Sequence, residues 1–109
     1  VTSALQEVLA AIERAGREAG RQIVEDRRRA VRQEALLYLP RHWNRLFHTE
    51  PPASRALRIA MLRRAIGCER RFVRRYAGMD VSRLICLRGA YIAERLAAFR
   101  DRAQAREAA

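Results

Sequence analysis

Lysine is absent from this chain. All 23 basic residues of the 109 are arginine, against 12 acids, for a formal charge of +11 and a pI near 11.5. Acid is therefore the scarce sign, and a partner of opposite charge is the first expectation. The arginine-only usage fits a genome rich in G and C. It also fits phosphate binding, because a guanidinium fork grips phosphate bidentately and stacks on bases. Two cysteines, Cys68 and Cys86, are too few for a disulfide framework, and both fall in amphipathic segments as small buried hydrophobes. Long apolar runs are missing: none exceeds the five residues of Ala35 to Leu39, far short of a membrane span. No charged region followed by an apolar one opens the chain, so no secretion signal is read and the expected setting is cytoplasmic.

Catalytic constellations are missing too. The histidines are His42 and His48, with only Glu50 near as a partner, and no Ser or Cys sits beside a base. The spacing of the two histidines and two cysteines resembles no zinc module. There is no phosphate loop, no dinucleotide fingerprint and no carboxylate cluster. We expect no enzyme activity, no metal and no cofactor.

What remains is helix. Half the residues are apolar, enough for a modest core in a single domain spanning 1–109. Neither strand alternation nor an internal repeat is present, so the expected fold is all-α: three long helices and one short one, at about 4–39, 41–48, 55–77 and 81–103. Ser3 with Gln6 reads as a capping box for the first. Its stripe is Leu5, Val8, Leu9, Ile12, Ala15, Gly16, Ala19 and Ile23, and its other face mixes Glu7, Glu13 and Glu18 with Arg14, Arg17 and Arg21. Gly16 and Gly20 mark a close approach by a second helix or a weak point. Further on, Asp26, Arg27 and Glu34 fall on the apolar stripe, so the helix leaves the core there or these charges meet partners. Pro40 ends this helix or opens the next, which presents Trp43, Leu46 and Phe47. Trp43 and Phe47, four apart among Arg41 and Arg45, plug the bundle's end or stack on unpaired bases. Ser54 caps the third helix, Gly78 stops it, Asp80 caps the fourth, and the alanine-rich tail frays.

The third helix carries the strongest signal. Arg63, Arg64, Arg70, Arg71, Arg74 and Arg75 fall within an arc of roughly 140° at 100° per residue, with no acid among them. Leu57, Met61, Leu62, Ala65, Ile66, Phe72, Val73 and Tyr76 occupy the opposite arc and face a core. A cationic face of this kind neutralises phosphates without reading sequence. Arg28 and Arg32, with Arg27 and Arg29, form a second cluster. The junction from Arg74 to Arg83 is a poor helix-turn-helix, since the helix after it is apolar on two strips.

Those strips define the fourth helix. One is Val81, Ile85, Ile92, Leu96 and Phe99; the other is Leu84, Leu87, Tyr91 and Ala98; Arg88, Arg95 and Arg102 run between them at heptad spacing. Three readings compete: the arginines snorkel from the rim of one wide face; they pair with Glu69, Asp26 and Glu34; or one strip packs in the core and the other meets a second copy or a partner subunit. The third makes Leu84, Leu87, Arg88, Tyr91 and Arg95 a protein interface.

A short, all-helical, arginine-rich chain without catalytic residues is similar to the small subunits of multi-subunit CRISPR effector complexes. The resemblance covers the chain as a profile. It implies a cationic groove, lined by Arg63 to Arg75, and subunit stacking through the two-sided last helix. Phage inhibitors, phage packaging components and conjugation accessory proteins share the profile. The expected role is a non-catalytic nucleic-acid-binding subunit of a larger assembly, with RNA or single-stranded DNA favoured, other subunits or self-association as partners, and no membrane. The alternative is an interaction module whose basic face docks an acidic protein.

Overall fold

The computed structural model describes residues 2–76 and 81–108. Four α-helices make up almost all of it: α1 (Thr2–Leu37), α2 (Trp43–Phe47), α3 (Arg55–Arg75) and α4 (Ser82–Ala108), with a 3-10 turn at Pro40–His42 ahead of α2. The all-α expectation holds, with three long helices and one short. Ser3 lies inside α1, which already includes Thr2, so it is not the cap. The alanine-rich tail stays helical to Ala108. The expected stop at Gly78 and cap at Asp80 lie outside the described residues.

α4 is the centre of the bundle. α1 packs along one side of it and α3 along the other, and the backbones of α1 and α3 stay apart. α1 runs parallel to α4: Glu34 crosses at Gly89, and Tyr38 reaches Glu94. α3 runs antiparallel: Arg55 meets Asp101, and Glu69 meets Arg83. The two contacts that the apolar strips of α4 required are thus both supplied within the chain. Leu87 is fully buried at 0 % exposure, which corrects its expected place at a partner interface. Leu96 and Phe99 remain exposed.

The turn into α2 has a local cause. Pro40 cannot donate a backbone hydrogen bond and opens the 3-10 turn, while His42 Nδ1 accepts from the Leu39 N–H at 3.1 Å. α2 then delivers Trp43 and Leu46 into the core with Leu62, Leu87 and Ala90. Trp43 is wholly buried and stacks on Phe47 at 4.3 Å between ring centroids, so these rings close the bundle and are not offered to bases. His48 ends α2 in the left-handed region (φ 55°), its N–H bonded to Asn44 O. Ser54 caps α3 as expected, its Oγ accepting from the Leu57 N–H at 3.3 Å.

A buried ionic node fixes α3 on α4. Glu94 is 1 % exposed; Arg58 donates to its Oε1 at 2.9 Å and Arg55 to its Oε2 at 2.7 Å. Arg58 is itself buried and also donates to the carbonyls of Pro52 and Ala53. Tyr38, from the end of α1, donates its hydroxyl to Glu94 at 3.2 Å. Burial first, then the Glu94 carboxylate, pushes the Tyr38 phenol up to about 12. Three segments therefore meet at one carboxylate, whose lone pairs are well satisfied, as a buried ion requires.

The molecule measures 72 × 35 × 20 Å with a radius of gyration of 19.8 Å, whereas a compact chain of this length would have about 13 Å. The excess lies in α1. Every described side chain from residue 3 to 29 is exposed, including Leu5, Val8, Leu9, Ile12 and Ile23 at 51–62 %. The stripe expected to face a core faces none in this chain. Gly16 and Gly20 have nothing near them; the close helix approach comes instead at Gly89.

Candidate nucleic-acid interface

Because α1 and α3 flank α4 with their backbones apart, a groove opens between them. One part, about 420 Å³, has Val24, Arg27, Arg28, Val31 and Arg32 on the α1 side, Val73 on the α3 side, and Leu84, Ile85, Arg88 and Ile92 from α4. A second part, about 340 Å³, shares Arg88 and Ile92 and adds Tyr91 with Arg63, Ile66, Gly67 and Arg70 of α3. Among the described residues no acid lines either part. Arginines from three helices converge on an apolar floor, with Arg88 common to both parts.

The six arginines of α3 are all exposed. They form two ridges rather than one face. Arg63 and Arg70 line the groove, and Arg74 follows within ~40° of them on the helical wheel. Arg64, Arg71 and Arg75 lie about 100° further round. There Arg71 donates to Cys68 Sγ at 3.4 Å, and the Arg75 guanidinium sits over the Tyr76 ring at 5.8 Å. Among the described residues no carboxylate pairs with any of the six. The opposite arc is only partly covered: Leu62 is buried, Met61, Ala65 and Ile66 pack on the core, while Leu57, Phe72 and Tyr76 stay exposed.

The α4 seam follows the rim reading. Arg88, Arg95 and Arg102 are exposed. The acids expected to pair with them are engaged elsewhere: Glu69 with Arg83 at 2.9 Å, Asp26 with Gln22 at 3.0 Å, and Glu34 at the Gly89 crossing. Arg95 instead donates to Tyr91 Oη at 3.1 Å and lies over its ring at 5.7 Å. Of the residues expected at a protein interface, Leu84, Arg88 and Tyr91 belong to the cationic groove. Arg28 and Arg32, from a separate cluster in the sequence, reach the same groove.

The sequence alone did not single out Glu94, Arg55, Arg58 or Gly89. Glu94 did carry a signal: it is the one acid in α4 before Asp101. Cys68 is exposed, contrary to expectation. Cys86 packs half-buried against the core, where burial and the Glu34 carboxylate push its thiol up, away from the thiolate that nucleophilic chemistry needs. Among the described residues no three His, Cys, Asp or Glu side chains gather as a metal site would require, and no helix is long and apolar enough to cross a membrane. Compared with protein-family models, with curated proteins and with solved structures, the chain matches none.

Proposed function

We propose that this chain is a non-catalytic subunit of a larger nucleoprotein assembly and holds a nucleic-acid backbone in the groove between α1 and α3. One observation carries the reading: Arg28 and Arg32, Arg63 and Arg70, and Arg88 come from three helices to two adjoining hollows that share Arg88 and Ile92, and no acid among the described residues lines either. Such an array attracts a polyanion over a distance and neutralises several phosphates at once. The apolar floor of Ile85 and Ile92, beside Tyr91, favours single strands, whose unpaired bases have faces to lay on it. RNA or single-stranded DNA is therefore the preferred ligand over duplex. This is the role implied by the similarity to CRISPR effector small subunits, and the groove supports that reading.

The same apolar floor between arginines also suits an acidic amphipathic helix of a partner protein, and this is the second reading. Titration of the nuclease-treated, salt-washed protein with labelled RNA, single-stranded DNA and duplex DNA at two salt concentrations separates them. The nucleic-acid reading expects binding that weakens steeply with salt, tightest for single strands. Absence of binding to all three, by the chain alone and within its native assembly, sinks it. A stoichiometric protein complex that survives nuclease would then favour the second.

A further inference from the structure

We infer that the hollow between α3 and α4 at Gly67 seats a single nucleobase of the bound strand, with Tyr91 as the ring on which that base stacks. This rests on the nucleic-acid reading of the groove and adds to it: charge holds the backbone, and shape holds one base.

Arg63, Gly67, Arg70 and Arg74 follow at spacings of four, three and four, so they form one row along α3. Glycine interrupts this row of arginines where it borders the hollow. Glycine inside a helix is destabilising relative to alanine. At Gly89 the close crossing of α1 accounts for it. At Gly67 packing does not, because nothing lies within 4 Å of a Cβ built there. What the missing side chain does is keep a space of about 340 Å³ open between the two helices.

The lining of that space specifies its occupant. Ile66, Ile92 and the Tyr91 ring are half-buried and give it apolar walls. The charged residues among the described lining are Arg63, Arg70 and Arg88, all exposed. The occupant therefore has a flat apolar body with anions close by on more than one side. One nucleotide of a strand has this form, a base with a phosphate before it and another after it. Arg63 and Arg70 stand ~10 Å apart along α3, seven residues at 1.5 Å each, so each phosphate has its own guanidinium within reach. The volume lies at the small end of ligand pockets, which run from about 300 to 1,000 Å³. It suits one ring system and not a helix of a partner protein.

Tyr91 is held ready for stacking. It packs on the core, and Arg95 donates to its Oη at 3.1 Å with the guanidinium over the ring at 5.7 Å. Arg95 does not line the hollow, so it positions the ring without filling the space. A ring already fixed has little freedom left to lose on binding. Every base has a π-face, so the seat takes unpaired bases without choosing among them.

The test compares two strands of equal length and charge: a single-stranded DNA oligonucleotide, and one whose sugars carry no bases. Both are titrated by fluorescence anisotropy against the full chain, treated with nuclease and washed with salt. The parent is expected to bind the base-bearing strand at least about 10-fold more tightly, the contribution of one stacked base, with the same salt slope for both strands. Gly67→Leu fills the hollow, and Tyr91→Leu removes the ring while keeping an apolar side chain against the core. Each is expected to reduce the preference for the base-bearing strand by about 10-fold and to leave the abasic strand's affinity unchanged. The two together should do no more than either alone. Urea titration should find Gly67→Leu at least as stable as the parent, which shows the bundle intact. Equal binding of the two strands by the parent, steep in salt, overturns the base seat and leaves the backbone reading standing. So does a loss in Gly67→Leu that is the same for both strands. A parent that binds neither strand, alone and in its native assembly, removes both readings.

Discussion

Gly89 and Glu94 carry more of this structure than their side chains advertise. A Cβ at Gly89 would lie 2.5 Å from the Glu34 Cβ and 3.0 Å from the Ala35 nitrogen, so α1 crosses α4 at a point only glycine allows. Gly67, in the middle of α3, has open space around it. Gly89→Ala should therefore destabilise the protein by about 2 kcal/mol through forced separation of the helices, while Gly67→Ala should stabilise it by about 0.5–1 kcal/mol; urea titrations of the two variants check the contrast. Glu94→Gln leaves buried Arg58 without its counter-charge and should cost about 3 kcal/mol. The pH dependence follows from Tyr38. Its folded value of about 12 lies above the ordinary 10.0, so the unfolded chain releases this proton first. The associated stability is fully present below pH 10 and is lost as pH rises through 12. Stability measured across that window should decline less steeply in Tyr38→Phe than in the parent, though half-exposure of the ring limits the size of the effect.

At the scale of elements, α3 and α4 behave differently from α1. α3 starts where its sequence announces, because Ser54 provides a cap and an apolar arc gives it a face to bury. Its arginines were legible as a cationic face, but their division into two ridges depends on where α4 lies. That division is testable. Charge reversal at Arg63, Arg70 and Arg74 should weaken single-strand binding at least about 100-fold, while reversal at Arg64, Arg71 and Arg75 should weaken it by about 10-fold or less; fluorescence anisotropy on both triple variants decides. Equal losses would place the ligand across the whole face and not in the groove. The two strips of α4 were also visible in the sequence. Their partners were not, because a heptad pattern records that a face is apolar and not which helix covers it. Leu87 shows the difference: the same apolar residue is an interface or a core depending on which helix lies beside it.

For the molecule as a whole, the governing fact is that α1 and α3 are held apart on α4. This leaves a channel whose charge none of the helices has alone. If Arg28, Arg32, Arg63, Arg70 and Arg88 each neutralise one phosphate of a single strand, the logarithm of affinity should fall against the logarithm of salt concentration with a slope of about −3.5. Arg88→Ala, which removes the arginine shared by both parts of the groove, should reduce that slope by roughly 0.7. A slope near zero would mean that the groove takes its ligand by other forces.

Composition and periodicity by themselves determined the helical class, the break at Pro40, the cap at Ser54 and the cationic face of α3. These are local properties, set by residue types within a few turns of one another. Tertiary structure decided the rest. It placed α4 between α1 and α3, collected Tyr38, Arg55 and Arg58 around Glu94, and brought Arg28 and Arg32 to the groove of Arg63 and Arg70. It also left the stripe of α1 uncovered over residues 3–23. The physical reason is that an amphipathic pattern fixes the direction in which a helix is apolar but carries no information on the register, crossing point or length over which another helix meets it. Here those are set by contacts distant in sequence, among them the glycine at 89 that lets α1 close on α4 and the carboxylate at 94 that ties α3 to it.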